Sequence, residues 1–464
     1  MKVYSFLHGG ISFEDRTAPG RGESVLSFLP GLAVVPLVTQ NGSRSLPVVK
    51  VGDTVKEAQL IARRQGAGSA NVHSPVPGKI IDNRTWNMAS GVFCNSMIIR
   101  MEGSFSMLGH TEKRYKWEDY SPFELRGLIE TFGVVDMDGT GVPLNDILSM
   151  YHQTDIPVTL VVRCVFDDPW LVANYVLLKE RLSEIATGAL IAARAACAAQ
   201  ILVVISLPEY AIGAELAAII TDSGQFNTEL IVVGARYPQR NKRELGIALR
   251  QFERKEKKNL GLCIYLGPST LSAVNDAIIL QKPPLERYVA VGGSAVKRPK
   301  VLKARIGSRF SQLFEECGGF ISRPKRTAVG SPLLGRPVFS LDEPVTASSY
   351  AVFAVCDESA VRNSATNPRV LELRNQRQLM TGKPSPVPFK HNYARAIDCI
   401  GCGECRAVCP VGLDPEDIYK MLSVQIYSPV LSKLCRQCHG CGCCEAVCPS
   451  RLPLSRLIIN PSGS

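Results

Sequence analysis

Ten of the sixteen cysteines in this 464-residue chain fall between Cys399 and Cys448, and their spacing restricts what that part can fold into more than any other feature. The first run reads Cys399-Ile400-Gly401-Cys402-Gly403-Glu404-Cys405-Arg406-Ala407-Val408-Cys409-Pro410, and the second Cys438-His439-Gly440-Cys441-Gly442-Cys443-Cys444-Glu445-Ala446-Val447-Cys448-Pro449. Both follow the bacterial ferredoxin spacing of two, two and three residues ending in Cys-Pro. Three thiolates three residues apart wrap one corner of an iron-sulfur cubane, and small residues such as Gly403 and Gly442 let backbone N–H groups approach the sulfurs. The fourth cysteine of each run serves the other cluster. One [4Fe-4S] cluster is thus expected on Cys399, Cys402, Cys405 and Cys448, and the other on Cys438, Cys441, Cys444 and Cys409.

Structural zinc also accepts Cys-x-x-Cys pairs, but it needs neither a third evenly spaced cysteine, nor the following proline, nor two copies in phase. Cys435 and Cys443 fall outside the pattern and read as small packed thiols. Counting back from Cys448 selects Cys438 over Cys435 as the start of the second run. The dispersed Cys94, Cys164, Cys197, Cys263, Cys317 and Cys356 suit ordinary packing.

With 45% hydrophobic and 20% charged residues, the composition is that of a globular protein, and about three domains are expected from the length. Lys2 is followed by only a short apolar stretch before His8, so no secretory leader is read and the reducing cytosol is the expected compartment. The longest apolar stretch, Ala195 to Leu207, is interrupted by Gln200 and is too short to span a bilayer. The net charge of +11 is concentrated in Arg236 to Lys258 and Lys297 to Arg305. Little aromatic interleaving accompanies these runs, which argues against nucleic acid.

Along the chain, 1–115 reads as a Gly/Pro-rich β domain with turn signals such as Gly52-Asp53 and Pro75-Val76-Pro77-Gly78. From there to 260 strands and helices alternate: a strand in Ile156 to Phe166, a helix Trp170 to Ala196, a strand Ile201 to Ser206, a helix Pro208 to Thr221, a strand Leu230 to Ala235 and a helix Lys242 to Lys257. This is the pattern of a parallel α/β domain, 116–260, with a ligand crevice at the strands' carboxyl ends. Residues 261–356 read as a small α+β, β-grasp-like module, 357–390 as a polar linker, and 391–464 as the dicluster domain. The fold class expected is multidomain α/β and α+β.

With the ferredoxin repeat behind such domains, the chain resembles the C subunit of the Rnf electron-transport complex, an ion-translocating oxidoreductase (the RnfC family). The resemblance rests on His8-Gly9-Gly10-Ile11, on Val51-Gly52-Asp53 with Val72-His73-Ser74-Pro75-Val76-Pro77-Gly78 for a barrel-sandwich domain, on Gly307-Ser308 and Gly318-Gly319 for a soluble-ligand-binding β-grasp (SLBB) module, and on the segments Cys409 to Pro415 and Cys448 to Leu454. It implies an electron-transfer subunit, peripheral on the cytoplasmic face of the plasma membrane, linking a soluble carrier to membrane subunits. An acidic ferredoxin or flavodoxin is the carrier type suited to the basic stretch Arg236 to Lys258. The alternatives are an FMN-dependent NADH dehydrogenase subunit of the same complex and an iron-sulfur docking scaffold.

In that family the α/β domain resembles the flavin subunit of complex I and holds FMN and NADH with a glycine-rich loop, whose N–H groups cradle phosphate. The corresponding stretch here runs from Gly133 to Leu144. Gly139, Gly141 and Pro143 are kept, but two expected glycines are Asp136 and Asp138, an expected lysine is Ile147, an acidic segment reads Phe166-Asp167-Asp168-Pro169, and Arg240-Asn241-Lys242 follows Tyr237-Pro238-Gln239. A carboxylate facing a phosphate repels it. The loop is therefore expected to have lost, or exchanged, its ligand. His8 and His73 stand alone beside turn residues and read as structural.

Overall fold

The computed structural model describes residues 2–87, 93–103, 114–151, 155–356, 387–388, 396–424 and 428–460. At its centre is a five-stranded, wholly parallel sheet ordered Val3–Tyr4, Asn227–Val233, Gln200–Ser206, Val158–Cys164, Leu262–Leu266. Its inner strands are near-continuous apolar runs because both faces are covered. Val161, Leu202, Val204 and Ile231 face one core with Tyr4, and Leu160, Val162, Ile201 and Val203 face the other. Helix Lys242–Glu256 covers the first face with Leu245, Ala248, Leu249 and Phe252. That spacing of three and four leaves its lysines and arginines outward, so this basic stretch is the wet side of an amphipathic helix.

Helices Leu182–Ala195, Tyr210–Asp222 and Pro268–Ile279 pack on the other side. The single helix expected over 170–196 is broken into Val172–Glu180 and Leu182–Ala195. Arg181, at the break, leaves helical geometry and donates to Asp276 at 2.6 and 2.9 Å and to Ser272 at 2.7 Å.

The barrel-sandwich part joins a four-stranded antiparallel sheet, Leu32–Pro36, Phe93–Met101, Gly78–Asn87 and Thr54–Val55, to a three-stranded one, Ser45–Pro47, Leu60–Arg64 and Val72–His73. Ala33, Val35, Ile61, Ile80, Met97 and Ile99 fill the space between them. The β-grasp-like part is a six-stranded mixed sheet with helix Phe310–Glu316 packed on Val289, Val291, Val352 and Ala354. The cysteine domain consists of short helices: Glu404–Ala407, Pro415–Ser423, Pro429–Gln437, Cys443–Val447 and Leu454–Ile459.

Two sequence boundaries shift. Val3–Tyr4 extends the α/β sheet and Val25–Leu26 the β-grasp sheet, so the first residues lace the domains together instead of joining the sandwich. Leu262–Leu266 and Pro268–Ile279 complete the α/β unit beyond 260, since that strand pairs with Val158–Cys164. The linker expected at 357–390 lies outside the described residues except for 387–388. Among the described residues no helix is long and apolar enough to cross a membrane.

Candidate cluster site and the glycine-rich loop

Each cysteine run bends twice through left-handed glycines at matching places, Gly401 and Gly403 (φ 68° and 72°) and Gly440 and Gly442 (φ 69° and 77°). Only glycine adopts this backbone without strain. In both copies the second glycine starts a short helix that presents the third cysteine, Cys405 or Cys444, inward.

Cys399, Cys405 and Cys448 collect with Cys444, Leu452 and Leu454 in one apolar cluster. Cys409 and Cys438 collect in another with Leu413, Ile418 and Leu431. A small cavity is lined by Cys409, Cys438, Cys441 and Cys444. Cys448 thus shares a cluster with Cys399 and Cys405 of the first run and with Cys444 of its own, and Cys409 shares one with Cys438 of the second. Among the described residues no three His, Cys, Asp or Glu side chains close around a single ion; the donors are thiols spread about a cavity. Cys402 is the exposed member, and Cys399, Cys438 and Cys448 are half-buried.

Burial pushes the Cys405 thiol up to about 11 and raises Cys409, Cys438 and Cys444. Cys441 is lowered to about 7 because the Cys443 thiol and N–H donate to its sulfur. Cys443, read from the sequence as a bland packed thiol, therefore supports a predicted ligand. Cys435 is buried among the apolar residues beside Cys438.

The second run faces the α/β domain. Tyr237, in the loop after strand Asn227–Val233, donates its hydroxyl to the Cys441 carbonyl at 2.7 Å. Arg243 donates to the Gln437 carbonyl at 3.1 Å, and His439 Nε2 lies 3.0 Å from Glu244. Ile11, Tyr237, Leu333, Cys441 and Cys443 share a core. The Gly9-Gly10 pair fits the same seam: Gly10 N–H donates to the Val408 carbonyl at 2.8 Å, and a Cβ on Gly9 would lie 2.5 Å from the Cys409 carbonyl. His8 is exposed, and burial lowers His73 to about 4.

The glycine-rich loop is folded back on itself. Val135 bridges Pro143, Asp136 N–H donates to the Val142 carbonyl, and Gly141 N–H donates to the Asp136 carbonyl. The Asp136 carboxylate accepts from Thr140 N–H at 2.8 Å, and Met137 N–H donates to Thr270 Oγ1 at 3.0 Å. Asp138 points into the core with its side chain fully buried. Its carboxylate accepts from Thr270 N–H at 2.8 Å, Thr270 Oγ1 at 3.2 Å and Asn174 Nδ2 at 2.7 Å, and Arg287 Nη2 stands 3.8 Å away. Arg163 and Arg240 donate to the Asp138 carbonyl at 3.0 and 2.6 Å. Gly139 and Gly141 line, with His73, a separate cavity of about 450 Å³ between the sandwich, the loop and the β-grasp part; Pro143 precedes helix Leu144–Ser149.

Sequence reasoning missed Arg163, Asn174, Thr270 and Arg287. Arg163 had a signal: it is the one charged residue in Val158–Cys164, a strand buried along its whole length, and such a charge requires a partner.

Three stretches match known domains: residues 5–104 the RnfC barrel sandwich hybrid domain, 129–266 the Nuo51 FMN-binding domain and 288–337 the SLBB domain. The C subunit of the ion-translocating oxidoreductase complex of Rhodobacter capsulatus is 28% identical, over 84% of this chain and 69% of that protein. The C subunit of the proton-translocating ferredoxin:NAD(+) oxidoreductase complex of Clostridium ljungdahlii is 24% identical over 90% of this chain and 84% of its own length. The Na(+)-translocating counterpart of Acetobacterium woodii is 25% identical over 84% and 81%. In domain order and length matched, the chain is similar to the C subunits of ion-translocating oxidoreductase (Rnf) complexes.

Proposed function

We propose that this chain is the electron-transfer subunit of a membrane-bound ion-translocating redox complex, and that it passes single electrons between a soluble carrier and the membrane subunits. The observation that supports the reading is that the two complete runs pack together, Cys448 in one cluster with Cys399, Cys405 and Cys444, and Cys409 around one cavity with Cys438, Cys441 and Cys444. An all-thiol donor set in this order suits two [4Fe-4S] clusters, with Cys399, Cys402, Cys405 and Cys448 holding one and Cys438, Cys441, Cys444 and Cys409 the other. Such clusters supply one-electron chemistry.

The protein's own residues then set access. Tyr237, Glu244 and Arg243 seat the second run against the α/β domain, while Cys402 of the first run remains open to solvent. The first site is the port to a partner, and the second is the inner relay. The outward Lys242, Arg250, Arg254 and Lys255 suit an acidic ferredoxin or flavodoxin, raising its encounter rate. Attachment to the membrane, at its cytoplasmic face, runs through partner subunits.

Anaerobically purified protein should hold about eight iron and eight acid-labile sulfide per chain. Stoichiometric zinc with little iron would overturn the reading.

A further inference from the structure

The loop that matches an FMN-binding domain does not fit a flavin phosphate, and the reason differs from simple repulsion. The N-terminus of helix Pro268–Ile279 offers the Thr270 N–H, the position at which anions are held by backbone donors and the helix dipole. The anion standing there is the carboxylate of Asp138. Around it are Arg287, 1% exposed, with no hydrogen-bond partner at any of its three guanidinium nitrogens, and the buried Arg163 and half-buried Arg240 on the adjoining carbonyl. The charge of Arg287 has the Asp138 carboxylate as its ion-pair partner. Burial alone would raise the Asp138 pKa, yet Arg287, Arg240 and the Thr270 N–H hold it below the ordinary carboxylate range. A Cβ on Gly267 would lie 2.5 Å from that of Asp138, so the helix start closes directly over the side chain.

We propose that Asp138 is a resident anion occupying a phosphate-type cradle made by the start of helix Pro268–Ile279, Asn174 and Arg287, so that this domain is self-liganded where a phosphomonoester would otherwise bind. The inward carboxylate neutralises the cradle, and the N–H groups of Asp136, Met137, Thr140 and Gly141 are used within the fold. Removing the Asp138 side chain leaves a cationic cavity that takes phosphate.

The test uses the full chain, purified anaerobically, with inorganic phosphate and FMN as probes. The unaltered protein should show no shift of melting temperature with millimolar phosphate and no quenching of FMN fluorescence at micromolar protein. Asp138→Gly should melt several degrees lower, recover in phosphate, and quench FMN, while keeping its iron content. Micromolar FMN binding by the unaltered protein would overturn the proposal, as would a folded Asp138→Gly that is indifferent to phosphate. Should that variant not fold, Asp138→Asn, Arg287→Met and the double variant decide: the double should lose less stability than the two singles combined, and strict additivity would overturn the proposal. The iron and sulfide assay is independent, so failure here leaves the electron-transfer reading standing.

Discussion

The cysteine domain and the glycine-rich loop put the same kind of backbone bend to opposite uses within one chain. Both keep left-handed glycines at their bends: Gly401, Gly403, Gly440 and Gly442 in one, Gly133 and Gly141, each at φ 67°, in the other. In the cysteine domain Cys402 and Cys441 lie between these bends, and Cys405 and Cys444 on the short helices that follow them. In the loop the bends persist while Asp138 fills the place they frame. Backbone shape and ligand chemistry are therefore separable: a glycine that sets a turn can be required by the fold alone, as at Gly133, where a Cβ would lie 2.1 Å from the Asn71 carbonyl.

The largest expected effect tests the cysteine side. Cys448→Ser should remove the cluster held with Cys399, Cys402 and Cys405, halving iron from about eight to about four per chain, while the signals of the cluster nearest it in sequence persist. Loss of that neighbouring cluster instead would break the assignment. Next, Gly9→Ala places a Cβ against the Cys409 backbone at φ 62°, and should cost about 2 to 4 kcal/mol in strain and overpacking. Limited proteolysis between the α/β and cysteine domains reads the outcome, and unchanged protection would show that the seam does not depend on this approach.

On the loop side the expected effect is acid sensitivity. His73 beside the loop cavity has its pKa lowered by burial to about 4 from an ordinary 6.5. Above pH 6.5 it is neutral in both folded and unfolded chains and costs nothing. As the pH falls from 6.5 toward 4 the unfolded chain gains the proton and the folded one does not, so stability declines, by about 2 to 3 kcal/mol at the lower end. His73→Gln should lose less stability than the unaltered chain over that window in denaturant titrations; equal loss would place the acid response elsewhere. The smallest effect sharpens the inner relay. Cys443→Ala removes a thiol donor to Cys441, worth about 1 kcal/mol or some 40 mV for a one-electron couple, and should make that cluster harder to reduce by protein-film voltammetry.

Much of this was legible because it is local. Ligand spacing in a ferredoxin repeat spans a dozen residues, and the αβ alternation follows from apolar periodicity within each element. The loop shows where locality ends. Asp136 and Asp138 are marked by the sequence as foreign to a phosphate cradle, but as repelling charges. That Asp138 is instead compensated depends on Arg163, Asn174, Thr270 and Arg287, which come from four separate elements. The break at Arg181 has the same origin, since its partner Asp276 lies on another helix. Cys443 is the packed thiol the sequence suggests, and its hydrogen bond to Cys441 adds a contact that leaves no trace in spacing.

The seam between Gly10 and Val408 also bears on the order in which the molecule is assembled. Its two hydrogen-bonding partners are separated by about 400 residues, and closing so long a loop of unstructured chain costs about 5 kcal/mol, more than that one hydrogen bond returns. The seam can close only after the intervening domains have folded and brought its sides together. During synthesis the strap around Gly9 therefore waits for a mate that is made late, and the seam is closed by the docking of folded domains.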